Sequence, residues 1–146
     1  MSQPTQVDPR GLRVVAAITA VVLAAVLVIP SEPVRIVLLA AQVAVFATAA
    51  LIGLQTSPYA IFYATVVRPR IGAPAELEDA RPPRFAQVVG LAFTTIALVA
   101  LLAGATTVAL VATAFALVAA LLNAAVGLCL GCEMYLVLRR LSPSGA

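Results

Sequence analysis

Four long aliphatic runs alternate with short polar interruptions along the chain. The first covers residues 12–29 and closes on Pro30-Ser31-Glu32-Pro33; the second covers 34–54. A polar stretch, 55–84, then carries Glu76, Glu78, Asp79 and the proline-rich run ARPPR. The third run covers 85–103, Gly104 marks a tight turn, and the fourth extends from 107 to 128. None shows the two-residue alternation of a barrel strand, and each approaches the roughly 20 residues a helix needs to cross hydrocarbon. Lipid offers the backbone no hydrogen bonds, so such runs must close their own as helices. The pattern predicts an all-α membrane protein with a single domain, 1–146, whose four transmembrane helices form two hairpins. The first run is longer than a leader's apolar core, and VLVIPSEP lacks an Ala-x-Ala cleavage signal, so it is expected to be retained.

Composition removes the soluble alternative. The chain is 63% hydrophobic and 10% charged, against roughly 25% charged in soluble domains. A soluble fold of this size leaves much of its surface in water and could not hide so many apolar side chains. Every basic residue is arginine, and there is no Lys, His or Trp. The net charge of +3 therefore comes from arginines beside apolar runs, where they orient helices, and gives no nucleic-acid signal. Absence of histidine removes the commonest general base and metal ligand.

The arginines also set a direction. Arg10, Arg13, Arg68, Arg70, Arg81, Arg84, Arg139 and Arg140 flank one side, whereas Arg35 alone occupies the other. The positive-inside bias predicts a cell-membrane protein with both termini and the 55–84 loop in the cytoplasm. Arg13 and Arg35 stand at the second position of their runs and no charged residue lies deeper in a span, which argues against a pump or charge-coupled transporter. Gln42, Asn123 and several threonines are the polar groups there, and bonds across helices are the expected role. Asn123 can alternatively hold a polar group of a ligand, because it lies nearest the cysteines.

The halves resemble each other at an offset of 74 residues: Pro9-Arg10 falls on Pro83-Arg84 and Gly53-Leu54 on Gly127-Leu128. An internal duplication and convergent hairpins with similar caps both account for this. Each half ends in a short amphipathic segment, YAIFYATVVRPR or EMYLVLRR. Each suits an interfacial helix or a continuation of the preceding span.

Both cysteines lie in GLCLGCEMYLVLRR, as Cys129-x-x-Cys132. The pair is half of a four-thiolate zinc site without its other half, so no metal is expected within one chain. A structural disulfide conflicts with the reducing cytosol. A redox or sulfur-carrying dithiol and inert packing remain. Ala112, Ala116, Ala120 and Ala124, continued by fours, would place Cys132 on the packing face. If the fourth helix runs through unbroken, its carboxyl end and Glu133 disfavour a thiolate. If Gly127 breaks it, a new helix start favours one on Cys129.

DPRGLR, SPY, VRPRIGAP, AELEDARPPRFAQ and LNAAVGLCLGCEMYLVLRRL resemble the uncharacterised bacterial membrane family known as domain of unknown function 4395. The resemblance spans nearly the whole chain. Genes of that family often lie beside thioredoxin-like and thiosulfate-sulfurtransferase genes, which implies a thiol or sulfur role carried here by Cys129 and Cys132. The expectation is an accessory in thiol–disulfide or sulfur handling, with a cytosolic thioredoxin-like or sulfurtransferase partner. A structural or assembly subunit and a small-solute channel or permease, formed as a homo-oligomer, are the alternatives. Neither a cofactor nor an enzymatic reaction follows from the sequence.

Overall fold

The computed structural model describes residues 6–142. Four helices are long and apolar enough to cross a membrane: α1 (Pro9–Val28), α2 (Glu32–Ala47, prolonged by a wide π turn Thr48–Ile52), α5 (Arg81–Leu102) and α6 (Thr106–Val126). Between α2 and α5 lie two short helices, α3 (Pro58–Phe62) and α4 (Arg68–Ile71), joined by the π segment Tyr63–Val67. A final helix, α7 (Leu130–Leu141), follows α6. The sequence pattern did not anticipate strands, yet Gln6–Val7 (β1) and Glu78–Asp79 (β2) pair antiparallel, with Val7 opposite Glu78. This ladder ties the starts of α1 and α5 together.

The helix starts follow from local chemistry. Asp8 caps α1 by accepting from Arg10 N at 2.9 Å, and Ser31 caps α2 through Val34 N. Proline near the first position of α1, α2 and α5 has no N–H to leave unpaired. The α5–α6 turn uses Gly104 at φ 85°, where Ala105 N reaches Ala100 O at 2.7 Å.

α1 packs most extensively on α6; α5 contacts both α6 and α2, and α2 also touches α1. Small residues set that closeness: Ala16 and Ala20 of α1, and Ala109, Ala112 and Ala116 of α6, are all buried. Packing is uneven along the helix axes. Val26, Leu39, Ala97, Ala100, Leu101, Ala109 and Ala112 form a solid apolar cluster where α1 and α5 end and α2 and α6 begin. Toward mid-height the buried groups turn polar but remain satisfied. Thr94 and Thr113 bond to carbonyls of their own helices. Fully buried Gln42 donates to Thr19 Oγ1 at 3.5 Å and accepts from Tyr59 at 2.9 Å, joining α1, α2 and α3. That is the cross-helix bonding expected of it. The opposite end is hollow.

Arginines close the helix ends. Arg13 donates to Ala124 O (3.1 Å) and Ala125 O (2.9 Å) at the end of α6. Arg84 donates to Ala50 O (2.9 Å) and Leu51 O (3.3 Å) at the end of α2. Arg35 reaches Val26 O near the end of α1. Each cation meets the unpaired carbonyls and negative pole of a helix terminus.

Two carboxylates hold the matching starts. Arg10 bonds Asp8, whose second oxygen also accepts from Tyr63 at 2.6 Å; Arg81 bonds Asp79 in the same manner. These bonds, the arginine side chain's foremost, lower each carboxyl to about 2. A depressed folded pKa stabilises fully above the unfolded value near 3.9, and that stability is lost as pH falls toward 2. Thermal unfolding in detergent is therefore expected at a lower temperature at pH 2.5 than at pH 5. Asp8→Asn should reduce that pH dependence while weakening the protein at pH 7.

Candidate functional site

The fourth apolar run does break at Gly127. Its φ of 74° is left-handed, a conformation glycine adopts without a Cβ penalty. Gly127 N bonds Asn123 O at 3.0 Å and Leu128 N bonds Leu122 O at 3.2 Å, which closes the end of α6. The chain then extends, and Cys129 becomes the N-cap of α7 at φ −92°, ψ 103°. Its Sγ accepts from Cys132 N at 3.1 Å, as a capping side-chain oxygen does elsewhere.

Cys129 and Cys132 are joined by a disulfide with Cα atoms 5.1 Å apart. This corrects the expectation, drawn from a reducing cytosol, that the pair would not be disulfide-bonded, and the local backbone shows how the sulfurs meet. With Cys129 outside the helix and Cys132 in its first turn, the two side chains converge. The break also ends the four-residue series that would have continued from Ala124 to Cys132, so Cys132 does not inherit the packing face of α6.

What fixes α7 in place is Gly131, between the cysteines. A Cβ there would lie 2.6 Å from both Cα and Cβ of Ala86, so α7 rests directly on the α5 backbone. Phe85 and Tyr135 add a ring contact at 5.7 Å, and Arg139 lies over the Tyr135 ring. α7 carries apolar residues on one face, with Glu133 in its first turn and Arg139 and Arg140 in its last, matching the polarity of its dipole.

Behind the disulfide opens the hollow end of the helix assembly, a cavity of about 440 Å³. Its lining runs from Cys129 and Cys132 past Arg13 and Asn123 to Phe93 and Phe115. Asn123 Oδ1 and Nδ2 make no hydrogen bond among the described residues, unlike Gln42, so the glue expected of both polar residues applies only to Gln42. A further lining residue, Gln87, had drawn no notice in the sequence. Its Oε1 is buried and lacks a hydrogen-bond partner among the described residues. Its position in FAQVVG, one turn inside an apolar run, was the available signal. Among the described residues no group of three or more His, Cys, Asp or Glu side chains is placed to hold a metal ion.

Four apolar helices of spanning length, with a Cys-x-x-Cys disulfide at the start of the shorter α7, define a multi-pass all-α membrane protein. Residues 7–140 match the family described as Domain of unknown function (DUF4395). The chain belongs to that family, as its motifs suggested. No curated protein and no solved structure matches it.

Proposed function

We propose that the chain handles thiols or sulfane sulfur at the membrane, with Cys129 as attacking thiol and Cys132 as resolving thiol. The observation that carries this is the position of Cys129: N-cap of α7, its sulfur accepting the Cys132 N–H. In the reduced state a thiolate there meets the positive helix end and a backbone donor, which lower its pKa and make it the nucleophile. Glu133 in the same turn acts against this, and the Arg13 guanidinium beside the shared cavity acts with it. Cys132, one turn in, then displaces whatever sulfur Cys129 has captured.

The partner is a soluble thioredoxin-like or sulfurtransferase protein. It docks on the arginine-rich side, where Arg68 and Arg70 of the 55–84 loop and Arg139 and Arg140 beyond the cysteines lie with both termini, the cytoplasmic side. The termini themselves, 1–5 and 143–146, lie outside the described residues. α3 and α7 lie along the interface with their apolar faces toward lipid.

The four spans form two hairpins related by duplication, and the arginine clamps support this reading. Asp8-x-Arg10-x-x-Arg13 and Asp79-x-Arg81-x-x-Arg84 repeat at an offset of 71, each with the aspartate bound to its first arginine. The second arginine of each half crosses to the other half, Arg13 to Ala124 and Ala125, Arg84 to Ala50 and Leu51. Those acceptor pairs repeat at 74, so the second hairpin is three residues longer between clamp and acceptor. A pseudo-two-fold axis along the membrane normal relates such halves. Only the second half has cysteines; Ser57 caps α3 in the first.

Trapping tests the thiol roles. Cys132→Ser leaves Cys129 able to attack but not to be displaced. Incubated with an oxidised thioredoxin-like protein, it should accumulate a mixed disulfide visible on a non-reducing gel. Cys129→Ser should accumulate none. Equal trapping by both variants, or by neither, would remove the assigned roles.

A further inference from the structure

The cavity behind the disulfide is built to accept more than packing defects. It follows α1 from Pro9 to Thr19, ten residues or about 15 Å at the helical rise, roughly half the hydrocarbon thickness. Its volume of about 440 Å³ lies within the range of small-molecule sites. The deep end is apolar and aromatic, with Phe46, Phe93 and Phe115; the shallow end is polar, with Arg13, Gln87 and Asn123. Gly90 keeps part of this space usable, because a Cβ there would strike the Phe46 ring at 2.6 Å.

Two observations specify the occupant. First, Gln87 Oε1 is a buried acceptor without a donor, a state that costs about 1–3 kcal/mol in a protein interior. Gln87 lines the cavity, and rotation of its carboxamide into that space would let a ligand O–H remove the cost. Asn123 offers an amide N–H to a carbonyl oxygen in the same cavity. A ring that carries a carbonyl when oxidised and a hydroxyl when reduced matches both groups. Second, the Cys129–Cys132 disulfide lines the same space, with Gly131 seated on Ala86, the neighbour of Gln87. Two electrons released at that end can pass to a soluble disulfide or to an acceptor dissolved in lipid, and only the second would occupy this cavity.

We propose that this cavity binds a membrane quinone, which accepts the electrons of the Cys129–Cys132 dithiol; the assignment rests on the thiol-exchange reading above. In the step, two S–H bonds break and the S–S bond forms. The quinone takes the electron pair and both protons, so that its two carbonyls become the two hydroxyls of the quinol. No further reactant is needed. Asn123 holds the oxidised ring, and Gln87 Oε1 accepts from the quinol hydroxyl. The aromatic end surrounds the isoprenoid tail. The soluble partner's dithiol then reduces the disulfide by the reverse of the exchange above, through the same mixed disulfide on Cys129, and the cycle repeats.

The test uses full-length protein in lipid nanodiscs, reduced and freed of reductant, with decylubiquinone as the probe. This ring is fully substituted, so thiols cannot add to an open ring position. Two thiols should be lost for each quinol formed, with a rate that saturates in quinone. Gln87→Leu should raise the half-saturating concentration about tenfold, the effect of one lost hydrogen bond. Gln87→Glu, which keeps an acceptor, should recover part of it. A rate that rises without saturation, no quinol at all, or indifference to both substitutions would overturn the proposal. So would a retained phospholipid that decylubiquinone fails to displace, read by native mass spectrometry. Exchange of the same dithiol with a soluble thioredoxin-like disulfide, measured without quinone, separates the two claims. Exchange without quinone reduction refutes the quinone site alone. Quinone reduction without exchange refutes the soluble-partner reading and leaves the site.

Discussion

Gly131→Ala is expected to slow thiol exchange about a hundredfold, although it adds only one methyl group, between the two cysteines and on neither of them. The added Cβ would sit 2.6 Å from Ala86 Cα as well as from Ala86 Cβ. Ordinary carbon contacts lie near 3.5–4.0 Å, so about 1 Å must be found. A flexible side chain could rotate away, but an α5 backbone atom cannot. α7 must therefore lift off α5 and take Cys129 and Cys132 with it. Overpacking of this kind costs about 1–3 kcal/mol, and a 1 Å displacement of reacting groups costs about 10²-fold in rate. Thermal unfolding and thiol exchange measured on one preparation separate the two effects. A near-normal rate would mean that the α5–α7 contact does not position the disulfide. Gly127→Ala is a weaker change by comparison, because φ strains it but nothing closer than Arg13 Cδ at 4.0 Å opposes the methyl group.

Removing the arginine clamps should separate stability from chemistry. Arg13→Ala and Arg84→Ala each strip two helix-terminal carbonyls of a charged donor, at a cost of about 1–2 kcal/mol apiece. The melting temperatures of the two variants should therefore fall by similar amounts. Their thiol behaviour should not. Ala124 and Ala125 lie just before Gly127, whose turn sets the cap position of Cys129, whereas Ala50 and Leu51 precede the cysteine-free Gly53 turn. Arg13→Ala is expected to slow exchange about tenfold, the equivalent of 1.4 kcal/mol, and Arg84→Ala to leave it unchanged. Equal loss of exchange in both would point to general loosening and away from a local clamp.

The lipid-facing architecture was legible because the bilayer imposes it. An uninterrupted aliphatic run must be a helix, and the runs ended where proline, glycine or arginine ended them. The break at Gly127 was legible as one of two outcomes; only the hydrogen bonds of Asn123 O and Leu122 O decided between them. The disulfide was argued away from the compartment, whereas its formation depends on the extended backbone at Cys129. The seating of Gly131 on Ala86 carried no sequence signal, since the two are 45 residues apart. The repeated Asp-x-Arg-x-x-Arg was present in the sequence, but the 74-residue alignment set Arg10 on Arg84 and hid it. Its register became visible only when Arg13 and Arg84 were seen holding carbonyls in opposite halves. Gln42, deep in an apolar run, stood out while Gln87, near the start of one, did not, and only the structure shows which carboxamide is satisfied and which is not.

The central claim is that the start of α7 activates Cys129. The most direct measurement is the pH dependence of alkylation of the fully reduced protein, followed separately for Cys129 and Cys132 by mass spectrometry. The account predicts that Cys129 titrates below the free-thiol value of about 8.5 while Cys132 titrates at or above it. Two thiols titrating together at 8.5 or higher would contradict it.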